Sequence, residues 1–89
     1  MPRGAPRLRA EDGRKNRIAE RVRRRRSELK LTQDQLNGRI AYVTDGRWNP
    51  TEQEILHIEN GTRIVSDVEV VVLAQALDCD PGWLLIGDK

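Results

Sequence analysis

Leu31-Thr32-Gln33-Asp34-Gln35-Leu36 and Ile55-Leu56-His57-Ile58-Glu59-Asn60-Gly61 bracket the stretch that decides the fold of this 89-residue chain. The first segment opens a helix. Thr32 can accept a hydrogen bond from a first-turn amide while Gln35, three residues on, reaches back to the Thr32 amide, and Leu36 and Ile40 then face inward. The second segment closes a helix, since Gly61 can adopt the left-handed backbone that follows a helix end. Between them, Tyr42 to Pro50 holds Asp45-Gly46, Trp48 and Asn49-Pro50, the marks of a loop. The helix after that loop has two candidate starts. Pro50 suits a first helical position, which makes Asn49 the cap; Thr51 with Glu54 three residues later is the competing box. Trp48 reads as an aromatic that packs the loop onto the domain.

Outward from this stretch the same signals recur. Ser66-Asp67-Val68-Glu69 is another capping box, and Val68, Val71, Val72, Gln75 and Leu77 form the expected wide apolar face of its helix. Asp80-Pro81 starts a final short helix in which Trp83, Leu84 and Ile86 close the core before Gly87. Toward the N-terminus, Ile18, Val22 and Leu29 fall at helical spacing within about Arg14 to Lys30. Arg25 interrupts that stripe, although its alkyl stem can lie along apolar surface. Residues 1–13 contain Pro2, Gly4, Pro6 and Gly13 without apolar periodicity and read as a disordered basic arm. Nothing alternates with period two. The expected fold is all-α, five short helices over 14–89 behind a flexible arm.

Charge and composition narrow the function. Residues 1–30 carry twelve basic and four acidic side chains, and residues 31–89 carry four basic and ten acidic ones, so a formal charge of +2 hides a basic arm on an acidic body. Such an arm suggests a polyanionic partner. A single cysteine, Cys79, excludes an internal disulfide and reads as a small apolar residue between helices; with His57 it falls short of a structural zinc site. No metal, cofactor or small-molecule ligand is expected. No nucleophile has an evident base partner and no glycine-rich phosphate loop exists, so no enzyme is expected either. The longest apolar runs, Val70 to Ala74 and Trp83 to Ile86, are too short to cross a bilayer, and no apolar stretch follows the N-terminal arginines. The expected location is the cytoplasm, at the nucleoid when bound.

Two short helices joined by a turn behind a basic segment can present a helix to the DNA major groove. The ordered signals resemble the Xre family, the lambda-repressor and Cro-like helix-turn-helix regulators of bacteria and phages. The likeness runs from about Ile18 to Gly87 and rests on Leu31-Thr32-Gln33, on Ile58-Glu59-Asn60-Gly61, and on Ser66 through Leu77 to Trp83-Leu84-Leu85. It implies a five-helix DNA-binding domain and a transcriptional regulator, a repressor in the first instance, with double-stranded DNA as partner and a recognition helix at about 50–60. It implies base contacts from Glu52, Gln53 and His57, and phosphate contacts from Gln33, Asn60 and Arg63. Arg47 in the loop and the arm residues Arg3, Arg7, Arg9 and Arg14 are further cations for the backbone, with the Arg21 to Arg26 cluster. Arg26 and Glu59 match a buried ion pair between helix 1 and the end of helix 3.

Three departures stand out. The connector between helices 2 and 3 exceeds the family's tight turn by roughly eight residues, resembling a subgroup with an extended loop. Asn37-Gly38 stands where a small apolar residue is usual; Asn37 needs a hydrogen-bond partner or must turn outward, and Gly38 weakens the helix by about 1 kcal/mol relative to alanine. Glu52 and Glu54 bring negative charge to the recognition helix, though acids in a first turn also complement the macrodipole. His57 is read either as a base contact or as an ordinary partly exposed histidine. The competing function keeps the fold as a protein-docking module, antitoxin-like or an accessory regulator, with Leu56 on its surface. RNA binding through the arm is the third reading, disfavoured by the scarcity of aromatics. A homodimer would double the DNA site, using the C-terminal helices around Val70, Leu73 and Trp83 or the long loop.

Overall fold

A computed structural model describes residues 8–88, so Arg3 and Arg7 lie outside the described residues. Among these residues the secondary structure is helical: α1 Ala19–Glu28, α2 Gln33–Val43, α3 Glu52–Asn60, α4 Asp67–Ala76 and α5 Pro81–Ile86. Local chemistry sets most of the boundaries. Thr32 with Gln35, Thr51 with Glu54 and Ser66 with Glu69 each form a reciprocal box in which both hydrogen bonds are made. The choice between Asn49 and Thr51 is thereby resolved for Thr51, and Pro50 is buried ahead of the cap instead of starting the helix. Gly61 ends α3 with φ of 76°.

Helix 1 is shorter than its apolar spacing implies. The Asn16 side-chain oxygen accepts from the amides of Ile18 and Ala19 at 3.1 and 2.9 Å, which starts the helix five residues after Arg14. The segment before it is a turn: the Gly13 amide donates to the Ala10 carbonyl (2.8 Å) and the Ala10 amide to the Arg14 carbonyl (2.9 Å).

The core gathers Ile18 and Val22 from the first element, Leu36 and Ile40 from α2, Ile55 and Ile58 from α3, and Leu84 from α5. Helix α4 contributes Val70, Leu73, Ala74 and, at its cap, Leu77. This corrects the expected apolar face, because Val68 is 69% exposed and Val71 46% exposed while Leu73 is fully buried. In a run of four hydrophobic residues, apolar identity alone cannot say which way the helix turns. The same finding removes Val70 and Leu73 from any pairing surface. At α5, Leu84 is buried and Trp83 packs against the core, whereas Ile86 is exposed and does not close it.

The ion pair of helix 1 with helix 3 is present. Arg26 Nε donates to Glu59 Oε2 at 2.6 Å and Nη2 to Oε1 at 3.0 Å, with Glu59 only 2% exposed. Arg26 also donates to the Leu31 carbonyl (2.8 Å), and Gln33 Nε2 donates to Glu59 Oε1 (3.2 Å). One carboxylate therefore joins α1, the start of α2 and α3. The Glu59 contacts hold the Arg26 guanidinium pKa above its ordinary value, first through the hydrogen bond.

The connector from Thr44 to Thr51 is eight residues in all, so its excess over a tight turn is smaller than the roughly eight expected, and one buried hydroxyl orders it. Thr44 Oγ1 donates to the Ile40 carbonyl (2.9 Å) and accepts from the Trp48 amide (3.0 Å), folding the loop back on α2. Asn37 satisfies neither of its expected options: its Oδ1 is buried without a protein partner.

Arg26→Ala should cost about 3–5 kcal/mol of unfolding free energy, because it strands the Glu59 carboxylate. The double change Arg26→Met, Glu59→Leu should lose markedly less, and chemical denaturation of the three proteins measures the difference. Around Gly38 an added Cβ would meet nothing within 4 Å. Gly38→Ala should therefore raise stability by about 0.5–1 kcal/mol, read as a higher melting temperature.

Candidate nucleic-acid interface

Burial of Ile55, Ile58 and Glu59 leaves the opposite side of α3 to solvent. Gln53, Leu56, His57 and Asn60 follow at i, i+3, i+4 and i+7 and are all exposed, forming one outward stripe. Glu52 is exposed at the head of the helix. The three expected base-contacting residues thus share a protruding element. His57 Nδ1 lies 3.0 Å from Thr62 Oγ1, which orients the ring. Leu56, 38% exposed, is the single apolar member of the stripe.

The two first-turn glutamates differ. Glu54 Oε1 accepts from the Thr51 amide (3.2 Å), and its Oε2 is 3.7 Å from Arg63 Nη2. Its charge is therefore offset twice, by the helix N-terminus and by a cation. Among the described residues Glu52 forms no ion pair.

The expected phosphate contacts separate as well. Asn60 is exposed at the last turn of α3, and Arg47 is exposed on the connector with its Nε donating to the Thr44 carbonyl (3.0 Å). Gln33 is half-buried and its amide nitrogen is already engaged by Glu59. Arg63 is not a free cation. Its guanidinium holds Glu69 in bidentate geometry at 2.9 and 3.0 Å, approaches Glu54, and stacks 5.8 Å from the centre of the Trp48 ring. Arg63 thus joins the connector, α3 and α4, and a phosphate would have to displace two charge-assisted hydrogen bonds to reach it.

The helix 1 arginines are also largely engaged. Arg21 donates to the carbonyls of Leu84 and Ile86 at 3.1 Å each, and Arg17 to that of Leu85 at 3.0 Å. Arg25 donates to the carbonyls of Leu77 and Asp78 at 2.9 and 3.0 Å, and Arg39 to that of Ala76 at 3.2 Å. These are the unpaired carbonyls at the ends of α4 and α5, where cations also meet the negative dipole end. Of the Arg21 to Arg26 cluster, candidate cations for the DNA backbone, Arg21, Arg25 and Arg26 thus already have intramolecular partners. Arg23 remains exposed, and Arg24 pairs with Glu28 at 3.3 Å and lies 5.7 Å from the Trp83 ring centre.

Of the arm, Arg9 is exposed and donates to the Gly13 carbonyl (3.3 Å), while Arg14 packs its stem on Gly61 at the end of α3. Lys15 was not among the sequence-derived candidates, yet its amide donates to the Gly61 carbonyl (2.8 Å). A signal existed: Asn16 is a capping residue, which would have placed Lys15 outside the helix. Cys79 is half-buried against the core; burial pushes its thiol pKa up, against the pull of Arg25 and with Asp80 and Asp78 adding. It therefore stays a thiol near neutral pH, consistent with packing rather than reactivity.

The α2–connector–α3 pair, held by α1 and backed by α4 and α5, is a lambda-repressor-like helix-turn-helix fold. The chain is similar to the P22 c2 repressor protein, whose crystal structure is in complex with synthetic operator 9T in the presence of Tl+. The two superpose with a TM-score of 0.65 and 28% sequence identity over 80% of this chain and 96% of that one. No family model and no curated protein matches the chain.

Arg63 holds the Glu69 carboxyl below the usual carboxylate range, first through its hydrogen bonds, with burial opposing and the Ser66 backbone assisting. A lowered folded pKa means that this stabilisation is complete above about pH 4.3 and is lost as pH falls through the folded value. Glu69→Gln should therefore start less stable at neutral pH and lose less melting temperature than the parent between about pH 5 and pH 3. Equal acid losses in both proteins would remove Glu69 from the linkage.

Proposed function

We propose that this protein is a sequence-specific DNA-binding transcriptional regulator, a repressor, which reads a short site by laying α3 in the major groove. The observation that carries this reading is the outward stripe of α3, three polar side chains and one leucine on an element whose inner face is fully buried. Gln53 can pair with the N6/N7 edge of adenine, and Leu56 can meet a thymine methyl. Glu52 can accept from cytosine N4, which turns its negative charge toward a base edge and away from phosphate. His57 can donate to guanine or to phosphate from its ring nitrogen.

Backbone affinity on this reading comes from Arg47, Asn60, the amide end of α2 at Gln33, and the arm with Arg3, Arg7, Arg9 and Arg14. The long Thr44 to Thr51 connector supports placing the chain with the extended-loop members of the Xre family. A stripe of four residues reads few base pairs, so the active species is proposed to be a two-fold dimer in the cytoplasm, at the nucleoid. Among the described residues no helix is long and apolar enough to cross a membrane. The docking-module alternative finds less support, because Leu56 stands alone among polar side chains and makes no contiguous apolar patch on α3.

Selection from a random duplex pool should return a defined motif whose half-site spacing reports the dimer. Gln53→Ala and His57→Ala should each lower affinity for that motif by about 1–3 kcal/mol while leaving binding to unrelated duplexes nearly unchanged. Unaltered discrimination in both variants would assign the reading to another element.

A further inference from the structure

A groove of about 790 Å³ runs beside the C-terminal half of α3, lined by Lys15, Glu54, His57, Asn60 and Arg63 among others. It holds two cations of unequal availability. Arg63 is bound on one edge by Glu69 and approached by Glu54, so its charge is locally over-compensated. Lys15 is exposed and, among the described residues, forms no ion pair within 4.0 Å.

The backbone of Lys15 is nonetheless fixed. Its amide donates to the Gly61 carbonyl at 2.8 Å, and the next side chain, Asn16, donates to the carbonyls of Ile58 (3.2 Å) and Arg63 (2.9 Å). Three hydrogen bonds therefore tie this segment to the end of α3. The ammonium swings on its own stem only, from an anchor beside the base-facing stripe. An ammonium at the C-terminal end of a helix is also favoured by the macrodipole.

We propose that Lys15 is a phosphate anchor of the interface: its ammonium takes a non-bridging oxygen of the DNA backbone at the C-terminal end of α3, a role Arg63 does not fill. This rests on the DNA-reading function proposed above. The chemistry suits the geometry. A lysine is a point charge on a flexible stem, able to meet a phosphate without the bidentate alignment that engages Arg63 with Glu69. A phosphate held there carries no sequence information, but it fixes how far α3 advances along the groove and hence which bases Gln53 and His57 meet.

The test titrates a selected duplex and a scrambled duplex at several salt concentrations with the full chain, Lys15→Gln, Lys15→Arg and Arg63→Gln. Lys15→Gln should weaken both duplexes alike and reduce the slope of log affinity against log salt by about 0.9, while Lys15→Arg keeps the parental slope. Arg63→Gln should keep the slope and lower the melting temperature. A parental slope in Lys15→Gln, or a slope lost in Arg63→Gln instead, overturns the anchor. A parent protein that binds no duplex in a salt-dependent way overturns the DNA reading and the anchor with it; that outcome is recognised because the parent fails and not the variant.

Discussion

Glu59 sits at 2% exposure on α3 and accepts from two nitrogens of one guanidinium, an anchor that helps set which residues of that helix face outward. Helix α3 has nine residues and buries Ile55 and Ile58 as its apolar contacts, with Glu59 buried beside them. A charged group with this little water tolerates few arrangements, because any other position leaves it unpaired at a cost of several kcal/mol. The Arg26–Glu59–Gln33 cluster therefore acts as a register pin. It sets which side of α3 faces out, and Gln53, Leu56, His57 and Asn60 become a stripe as a consequence.

The long connector makes such a pin necessary. A short turn between two helices would limit their angle by chain geometry, whereas eight residues impose almost no limit of their own. Here polar fixtures replace the missing constraint. Thr44 closes the first half of the loop on α2, and Pro50 is buried at its end. Trp48 packs on the core beneath Arg63, which in turn grips α4 through Glu69 and reaches Glu54. The same arrangement explains why Arg63 is poorly suited to hold a phosphate: its partners are the groups that keep the loop in place.

What could be read in the sequence was whatever is decided within four residues. Thr32-Gln35, Ser66-Glu69 and Gly61 announce their helix ends because both partners of each hydrogen bond lie in one short segment. Arg26 and Glu59, 33 residues apart, were reached through a family resemblance and not through local chemistry. The partners of Arg17, Arg21, Arg25 and Arg39 are not legible in the sequence, because their acceptors are backbone carbonyls, which leave no mark in composition. The inward side of α4 is hidden from the sequence for a related reason. Val70 to Leu73 is apolar throughout, and only its neighbours in space tell Leu73 from Val71. Lys15 is hard to place from the sequence because the apolar period at Ile18 does not itself mark its start, which the Asn16 side chain sets by bonding the Ile18 and Ala19 amides.

These placements change how the charge of the chain should be counted. Twelve cations in residues 1–30 look like a uniform polyanion-binding surface. In the folded domain, however, Arg17, Arg21, Arg25 and Arg26 are held by carbonyls or by Glu59, and each keeps only the unused side of its guanidinium for another anion. Among the described residues Lys15, Arg23 and Lys30 are exposed with no side-chain hydrogen bond or ion pair, and of these Lys15 alone lies on the segment bound to the end of α3. The charge of Lys15 is thus applied at one end of α3, apart from the cations on the body of the domain. A cation fixed at one end of a helix can align it along a groove as well as attract it, because attraction applied off centre exerts a torque.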